Sequence, residues 1–209
     1  MRILMLTSVY KDEFLGNKDT STNIVNSFVK EWKKQGHEVL VIHNSHCYPR
    51  VIHEIPEKLK KSLAARMGFA ISDYDAVKEK EYQDNGVKVF RLPIKKFIPH
   101  SQPSDNVIKR QVNKIVATLK KEKFEPDVIT GHWASPQMEI ISELKTIYHC
   151  KTAVVLHGTG YIESPKFNAE EYLKNIDSLG ARSLSQAKQI KEILKLDKLP
   201  FVCNSGVPD

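Results

Sequence analysis

The sequence predicts a doubly wound, mostly parallel α/β sheet of about seven strands with helices on both faces, forming one Rossmann-like domain over residues 1–209. Short apolar runs alternate with amphipathic stretches, as βαβ units do. Hydrophobic residues make up 41% and charged residues 27% of the chain, which excludes a disordered or fibrous protein. Segment Arg2–Ile42 has the pattern of a complete β–α–β unit, and right-handed crossovers extend such a unit into a doubly wound sheet.

The first unit has the clearest periodicity. Arg2–Thr7 is a continuous apolar run, as expected of a strand that is covered on both faces. Ile24, Phe28 and Trp32 recur at helical spacing, so an amphipathic helix is predicted over Thr22–Gln35.

The elements that follow are predicted from the same patterns. Gly36 is the expected stop of the first helix. The later strands are predicted at Val39–Ile42, Val87–Leu92, Asp127–Thr130, Thr152–Leu156, Ala181–Ser183 and Phe201–Cys203. The later helices are predicted at Glu54–Met67, Asp105–Lys123, Pro136–Tyr148, Ala169–Ile176 and Ser185–Leu196.

The composition limits the kinds of binding partner and the cellular compartment that are expected for this protein. The formal net charge of +7 permits an anionic ligand, but the 8% aromatic residues are not clustered with basic ones, so no nucleic acid is expected. The 3 cysteines form no C-x-x-C pair, which indicates free thiols in a reducing compartment. No apolar run is long enough to span a bilayer, and the apolar start is too short for a signal peptide. A cytoplasmic protein is therefore expected.

Ligands of doubly wound sheets bind at the carboxyl ends of the strands, so the loop after Thr7 is the first candidate site. It holds one glycine, Gly16, beside Asn17, and the chain has neither G-x-G-x-x-G nor a Walker motif. A nicotinamide or ATP P-loop site is therefore disfavoured. Gly16 still permits close backbone approach to a substrate, although a simple surface turn explains it equally.

Two further strand ends carry candidate binding groups. Strand Thr152–Leu156 delivers His157 to the ligand edge, where a neutral imidazole can donate to or accept from a hydroxyl. Gly158 leaves room for a substrate there. His132 and Trp133 follow the preceding strand, and the indole face suits stacking on a sugar. The alternatives are a histidine that satisfies strand-end backbone and a half-buried tryptophan.

Two other segments resemble functional motifs but lack residues that those motifs require. His43–Cys47 resembles a metal cluster, but no second ligand pair stands at zinc spacing, so no metal site is expected and a polar loop is predicted. Ser183 and Ser185 lie in no G-x-S-x-G elbow, so a hydrolase triad has no anchor.

Taken in order, several motifs resemble the amino-terminal half of a GT-B glycosyltransferase of glycosyltransferase family 4 (group 1). They cover almost the whole chain, apart from the stretch from Cys47 to Lys80. The matching segments are Arg2–Leu6, the Gly16 loop, Gly36–Val39, Pro126–Ile129, Val155–Gly158, Arg182–Ser183 and Phe201–Asp209. Departures from the family pattern are the single glycine of the first loop, and Ser205 and Pro208 within the final motif.

The resemblance implies transfer of a sugar from a nucleotide-sugar to a hydroxyl acceptor, with retained configuration, no metal and no cofactor beyond the donor. It places Gly16 and Asn17 near the donor phosphates and acceptor, and His157 beside the donor sugar as the catalytic residue. His132, Trp133, Gly158 and Tyr161 are predicted acceptor-binding residues. The acceptor is expected to be a polysaccharide or lipid-linked saccharide, reached by peripheral contact with the inner face of a membrane.

The family also implies a second domain that holds the nucleotide-sugar, with an E-x7-E element. Glu163 and Glu171 have that spacing but lie in the wrong half, so the second domain is expected to be absent from this chain and the isolated domain inactive. The alternatives are a non-catalytic saccharide- or nucleotide-binding domain and a GT-B enzyme of other chemistry, such as a nucleotide-sugar epimerase or an inverting transferase. A flavodoxin-like domain is more distant.

Overall fold

A computed structural model describes residues 1–11, 24–67, 74, 78–96 and 102–204. The strands in this part of the chain are β1 Arg2–Thr7, β2 Glu38–His43, β3 His46–Cys47, β4 Lys80–Asp84, β5 Val87–Arg91, β6 Ile94–Lys95, β7 Val128–His132, β8 Lys151–Leu156, β9 Ser178–Ala181 and β10 Phe201–Val202. The helices are α1 Ile24–Lys34, α2 Arg50–His53, α3 Glu57–Met67, α4 Asp105–Lys121, α5 Gln137–Tyr148, α6 Ala169–Leu173 and α7 Leu184–Ile193.

The main sheet has 8 strands in the order β10-β9-β8-β7-β1-β2-β5-β4. Every neighbouring pair is parallel except β4 and β5. Strand β1 is central, with Leu4 opposite Leu40 on one side and Ile129 on the other. The predicted mostly parallel, doubly wound α/β class is therefore confirmed.

Each strand sends alternate side chains to opposite faces of the sheet, and both faces are covered. Leu4 and Leu6 of β1 pack in a large core with residues of α4, α5 and α7. Ile3 and Met5 pack in a second, smaller core with Val25 and Val29 of α1. Two covered faces explain why β1 has the unbroken apolar sequence of a buried strand.

Within the main sheet, β4 is the strand that the sequence did not predict. It forms an antiparallel hairpin with β5, and the turn between them has positive φ at Asn85 (51°) and Gly86 (76°). Asn-Gly is the pair that a two-residue hairpin with positive φ at both turn positions favours. The hairpin raises the strand count of the main sheet from the expected seven to 8.

The helix predicted over Glu54–Met67 is confirmed as α3, which starts later than predicted, and the short helix α2 that precedes it was not predicted. Helix α2 ends at His53, and α3 begins at Glu57 directly after Pro56. Proline fits the start of a helix because it lacks the N–H that an interior position needs. Leu59 and Leu63 of α3 are 55% and 38% exposed, so this helix presents apolar side chains to the surface.

Candidate functional site

The carboxyl ends of β2, β1, β7 and β8 lie side by side and carry polar residues. Thr7 ends β1 and pairs with His43 on one side and His132 on the other. His132 lies opposite Val155 in β8, so that His157 follows two residues later at the same edge. The register of parallel strands thus brings together histidines that are distant in sequence.

His132 and His157 form a direct hydrogen bond. Their Nδ1 and Nε2 atoms, respectively, are 2.8 Å apart, and His132 is only 2% exposed. A bond between two ring nitrogens requires one of them to donate and the other to accept. His132 therefore lies beneath His157 and holds its ring in place.

Trp133 covers the other side of His157. Its indole ring stacks on the imidazole with a centroid distance of 4.1 Å and an interplanar angle of 17°. Trp133 adopts a positive φ of 72°, and its backbone N–H donates to the Val155 carbonyl over 3.0 Å. Left-handed backbone is uncommon for a bulky residue and occurs where surrounding contacts impose it.

Both imidazoles are held in the neutral state. Burial lowers the pKa of His132 to about 3, and repulsion from His157 in its protonated form and from Arg182 contributes less. Burial and Arg182 lower the pKa of His157 to about 4. A neutral imidazole can donate or accept a hydrogen bond, whereas a protonated one can only donate.

A cavity of about 700 Å³ opens beside His157 at the start of α7. Ser183 is the N-cap of this helix, and its hydroxyl accepts a hydrogen bond from the Gln186 N–H over 3.2 Å. Helix N-termini carry partial positive charge, which the Arg182 guanidinium reinforces. The lining residues are His157, Gly158, Thr159, Arg182, Ser183, Ser185, Gln186, Gln189 and Asn204.

A chain of buried amides supports the loops under this edge. Gln111 of α4 donates to Asn44 Oδ1, Asn44 donates to Gln137 Oε1, and both bonds measure 2.8 Å. Gln137 then donates to Ser8 Oγ over 2.7 Å, just after β1. These bonds join α4, the end of β2, α5 and the end of β1, so these four side chains hydrogen-bond to one another across the edge.

The predicted site residues have three different outcomes. His132, Trp133 and His157 come together, and Gly158 lines the cavity. Tyr161 is half-buried and turns its ring edge toward Phe167, with centroids 6.5 Å apart. The predicted phosphate-loop residues, Gly16 and Asn17, lie outside the described residues.

The segment after β2 differs from the expected polar loop. Asn44 and Ser45 are buried, and His46–Cys47 form β3, which pairs with β6 in a small parallel sheet. The amide chain above explains why a polar residue such as Asn44 is buried there. Among the described residues, no group of three or more His, Cys, Asp or Glu side chains is placed to hold a metal ion.

Sequence reasoning assigned no site role to Arg182, Ser183 or Gln137. A signal existed for the first two, because a Ser that begins a helical stretch directly after a strand is a typical N-cap. Nothing local distinguishes Gln137 from a surface glutamine, since its partners are distant in sequence.

Comparison with known proteins gives structural matches alone: no family model and no curated protein matches the sequence. An OtsA apo structure has a TM-score of 0.54 at 10% identity, over 93% of this chain and 43% of that one. A structure described as trehalose-6-phosphate from E. coli bound with UDP-2-fluoro glucose has a TM-score of 0.51 at 9% identity, over 92% and 42%. The UDP-GlcNAc 2-epimerase from Methanocaldococcus jannaschii gives 0.45 at 12% identity, over 93% and 42%.

The two matches with TM-scores above 0.5 support the fold class. The chain has the fold of a Rossmann-like half domain of the GT-B type. It spans less than half the length of the chains that it resembles. In the part of the chain that the structure describes, no helix is both long and apolar enough to cross a membrane.

Proposed function

We propose that this chain is the acceptor-side domain of a glycosyltransferase, which moves a sugar from a nucleotide-sugar to a hydroxyl acceptor. The observation that carries the proposal is the neutral His157, held between His132 and Trp133 at the mouth of a cavity that Arg182 and the start of α7 line. The resemblance in sequence motifs and the GT-B fold support the same reading. A second domain, facing this edge, would hold the nucleotide-sugar.

The cavity beside His157 suits a charged leaving group. Arg182 and the N-terminus of α7 supply positive potential without a metal ion, and preorganised donors of this kind stabilise charge that develops in a transition state. In this scheme the departing diphosphate takes the acceptor's proton, so no protein nucleophile is needed. The chain's contribution is orientation and electrostatic stabilisation.

His157 is the proposed catalytic residue because it can contact the donor sugar or the acceptor hydroxyl. Its Nε2 is engaged by His132, which leaves Nδ1 as the nitrogen available to a ligand. His132 then serves as a positioning residue beneath it, a role that its burial favours over direct acceptor contact. Trp133 would shield one face of the imidazole and, with Gly158 and Tyr161, border the acceptor.

The donor is proposed to be a uridine diphosphate sugar. One structure of similar fold is described with UDP-2-fluoro glucose bound, which supports uridine as the base. Gly16 and Asn17 would approach the donor phosphates, an assignment that rests on the sequence resemblance alone. The configuration of the product is expected to be retained.

The test is a transfer assay on the protein expressed from its complete reading frame. We expect sugar transfer from a UDP-sugar to a saccharide or lipid-linked saccharide, undiminished by EDTA, with the anomeric configuration of the product read by NMR. Conversion of the donor to its epimer without transfer would instead support the epimerase alternative. Ligand binding without turnover of any donor would support a non-catalytic binding domain.

A further inference from the structure

The row of buried amide side chains under the sheet edge ends at Ser8, the residue that follows β1. Gln111, Asn44 and Gln137 are at most 3% exposed. Ser8 is only half-buried, so solvent reaches this residue at the carboxyl edge of the sheet. The bond from Gln137 Nε2 to Ser8 Oγ, which measures 2.7 Å, thus connects the buried row to an accessible residue.

The backbone carbonyl of Leu92 fixes the direction of the bonds in this row. A carbonyl oxygen can only accept, so the group of Gln111 that lies 2.8 Å from the Leu92 oxygen must be its NH2. The same NH2 lies 2.8 Å from Asn44, which must therefore turn its side-chain oxygen toward Gln111. The orientation of the first two amides follows from an atom that has no choice of role.

This orientation passes along the row to the serine. Asn44, with Oδ1 turned to Gln111, presents its NH2 to Gln137 Oε1 over 2.8 Å. Gln137 then presents its own NH2 to Ser8, whose hydroxyl oxygen must accept. The hydroxyl proton of Ser8 therefore points away from Gln137, and no acceptor for it lies among the described residues. The Ser8 hydroxyl is left as a hydrogen-bond donor.

The row also prepares this donor for a ligand. Hydrogen bonds in a chain polarise one another, so the bond that Ser8 accepts from Gln137 makes its own O–H a stronger donor. The orientation of the hydroxyl is set before a ligand arrives, so less conformational entropy is lost on binding. The group that such a donor recognises is an oxygen atom of the ligand.

The order of the strands places Ser8 on the opposite side of His157 from the cavity that Arg182 lines. Strands β9, β8, β7 and β1 are consecutive in the sheet, and Arg182, His157 and Ser8 directly follow β9, β8 and β1. Neighbouring strands are about 4.8 Å apart, so the backbone of Ser8 is roughly 10 Å from that of His157 along the edge. A leaving diphosphate in the Arg182 cavity leaves the side toward Ser8 to the acceptor.

We propose that Ser8 is an acceptor-binding residue, whose hydroxyl donates a hydrogen bond to one oxygen atom of the saccharide that receives the sugar. Gln137, Asn44 and Gln111 are positioning residues, because they hold this hydroxyl in its donating orientation. The inference deepens the proposed function, on which it rests. It adds that the acceptor is recognised through a particular oxygen besides the hydroxyl that reacts.

The test is a cycle of NMR binding titrations with no donor present. The probes are the methyl glycosides of glucose, galactose, mannose and N-acetylglucosamine, followed by the monodeoxy analogues of the tightest binder. Ser8→Ala should weaken binding of that glycoside about 3- to 10-fold, the usual contribution of one neutral hydrogen bond. One monodeoxy analogue should bind the wild type and Ser8→Ala equally, because it lacks the oxygen that Ser8 contacts. Ser8→Thr, which retains the hydroxyl, should restore binding of the parent glycoside.

Ser142→Ala is the matched control, because Ser142 Oγ in α5 also accepts from a side-chain amide, Asn175 Nδ2, over 2.9 Å. Both alanine variants leave an amide without its acceptor, but only Ser8→Ala should change binding, and thermal unfolding confirms that each is folded. Equal weakening of the parent and every deoxy analogue by Ser8→Ala, unchanged binding, or no saturable binding of any glycoside at millimolar concentration would overturn the inference. Because no transfer is measured, Ser8-dependent binding would uphold it even if the transfer assay failed.

Discussion

His157 shows how the fold changes the chemistry of one residue. An imidazole in water is half protonated near pH 6.5, whereas here burial and Arg182 depress its pKa to about 4. The ring is thus neutral at physiological pH, so it can accept as well as donate. His132 also restrains the orientation of the ring, because it forms a hydrogen bond with Nε2.

The histidine pair makes stability depend on pH in a defined direction. Below pH 6.5 the unfolded chain protonates both rings while the folded one does not, so protons bind preferentially to the unfolded state and the free energy of unfolding falls as pH falls toward 4. The His132→Asn variant lacks the contribution of His132 to this pH dependence, and it retains a hydrogen-bonding group near the Nδ1 position.

We therefore expect the wild type to lose on the order of 3 kcal/mol more than His132→Asn between pH 6.5 and pH 4. Urea unfolding at several pH values measures this difference. The raised pKa of Glu139 acts with the opposite sign, but equally in both proteins, and so cancels. Parallel pH profiles of the two proteins would show that His132 is not held neutral.

His157 also shows which part of the candidate site can be predicted from the sequence. A strand that ends in His157-Gly158 predicts a site histidine, and the structure places His157 at the sheet edge as expected. Its contact with His132, 25 residues earlier, depends on strand register and side-chain direction, which the sequence does not encode locally.

At the scale of elements, the close approach of α5 to β7 depends on one glycine. A Cβ atom on Gly131 would lie 2.8 Å from Ile141 Cδ1 and 3.0 Å from Gln137 Cβ. Both neighbours belong to α5, and Gln137 also carries the amide chain to Asn44 and Ser8. Any shift of α5 therefore disturbs the supports of the ligand edge.

Gly131→Ala is expected to reduce the free energy of unfolding by about 1–3 kcal/mol, the usual cost of overpacking. Gly158→Ala is the matched control, because a Cβ there meets nothing within 4 Å. Chemical denaturation of both variants provides the comparison. A Gly131→Ala protein as stable as Gly158→Ala would mean that α5 does not pack closely on β7.

The elements themselves were largely predictable where periodicity was long. Strands β1, β2, β5, β7 and β8 follow apolar runs, and α4 and α5 follow amphipathic ones. Strand β4 was missed because Lys80–Asp84 is polar, although the Asn85-Gly86 turn gave a sufficient signal. The two-residue strands β3 and β6 are too short to produce a periodic pattern.

The domain carries a basic surface on α3 in addition to the polar edge of its sheet. Helix α3 presents Leu59 and Leu63 together with Lys58 and Lys61 at its surface. Exposed lysines attract anionic lipid headgroups, and exposed leucines can enter the boundary of the acyl chains. This arrangement supports the proposed approach to a lipid-linked acceptor.

We expect the protein to bind vesicles that contain phosphatidylglycerol and to be released by salt, because each lysine near such a surface contributes about 1 kcal/mol. Replacing Lys58 and Lys61 with Gln should weaken binding by about tenfold or more, whereas replacing Lys33 and Lys34 at the end of α1 should not. Vesicle sedimentation at two salt concentrations measures both effects. Equal binding to neutral vesicles would contradict the role of the lysines.

The central claim is that His157 supports sugar transfer, and the most direct measurement is the transfer rate of His157→Ala in the complete protein. We predict that kcat/KM falls by on the order of 100-fold or more, since a positioned polar group at the reacting atoms is lost. His37→Ala is the matched control, because His37 precedes β2 at the opposite edge of the sheet. Its rate should equal that of the wild type. Equal rates for His157→Ala and the wild type would contradict the account.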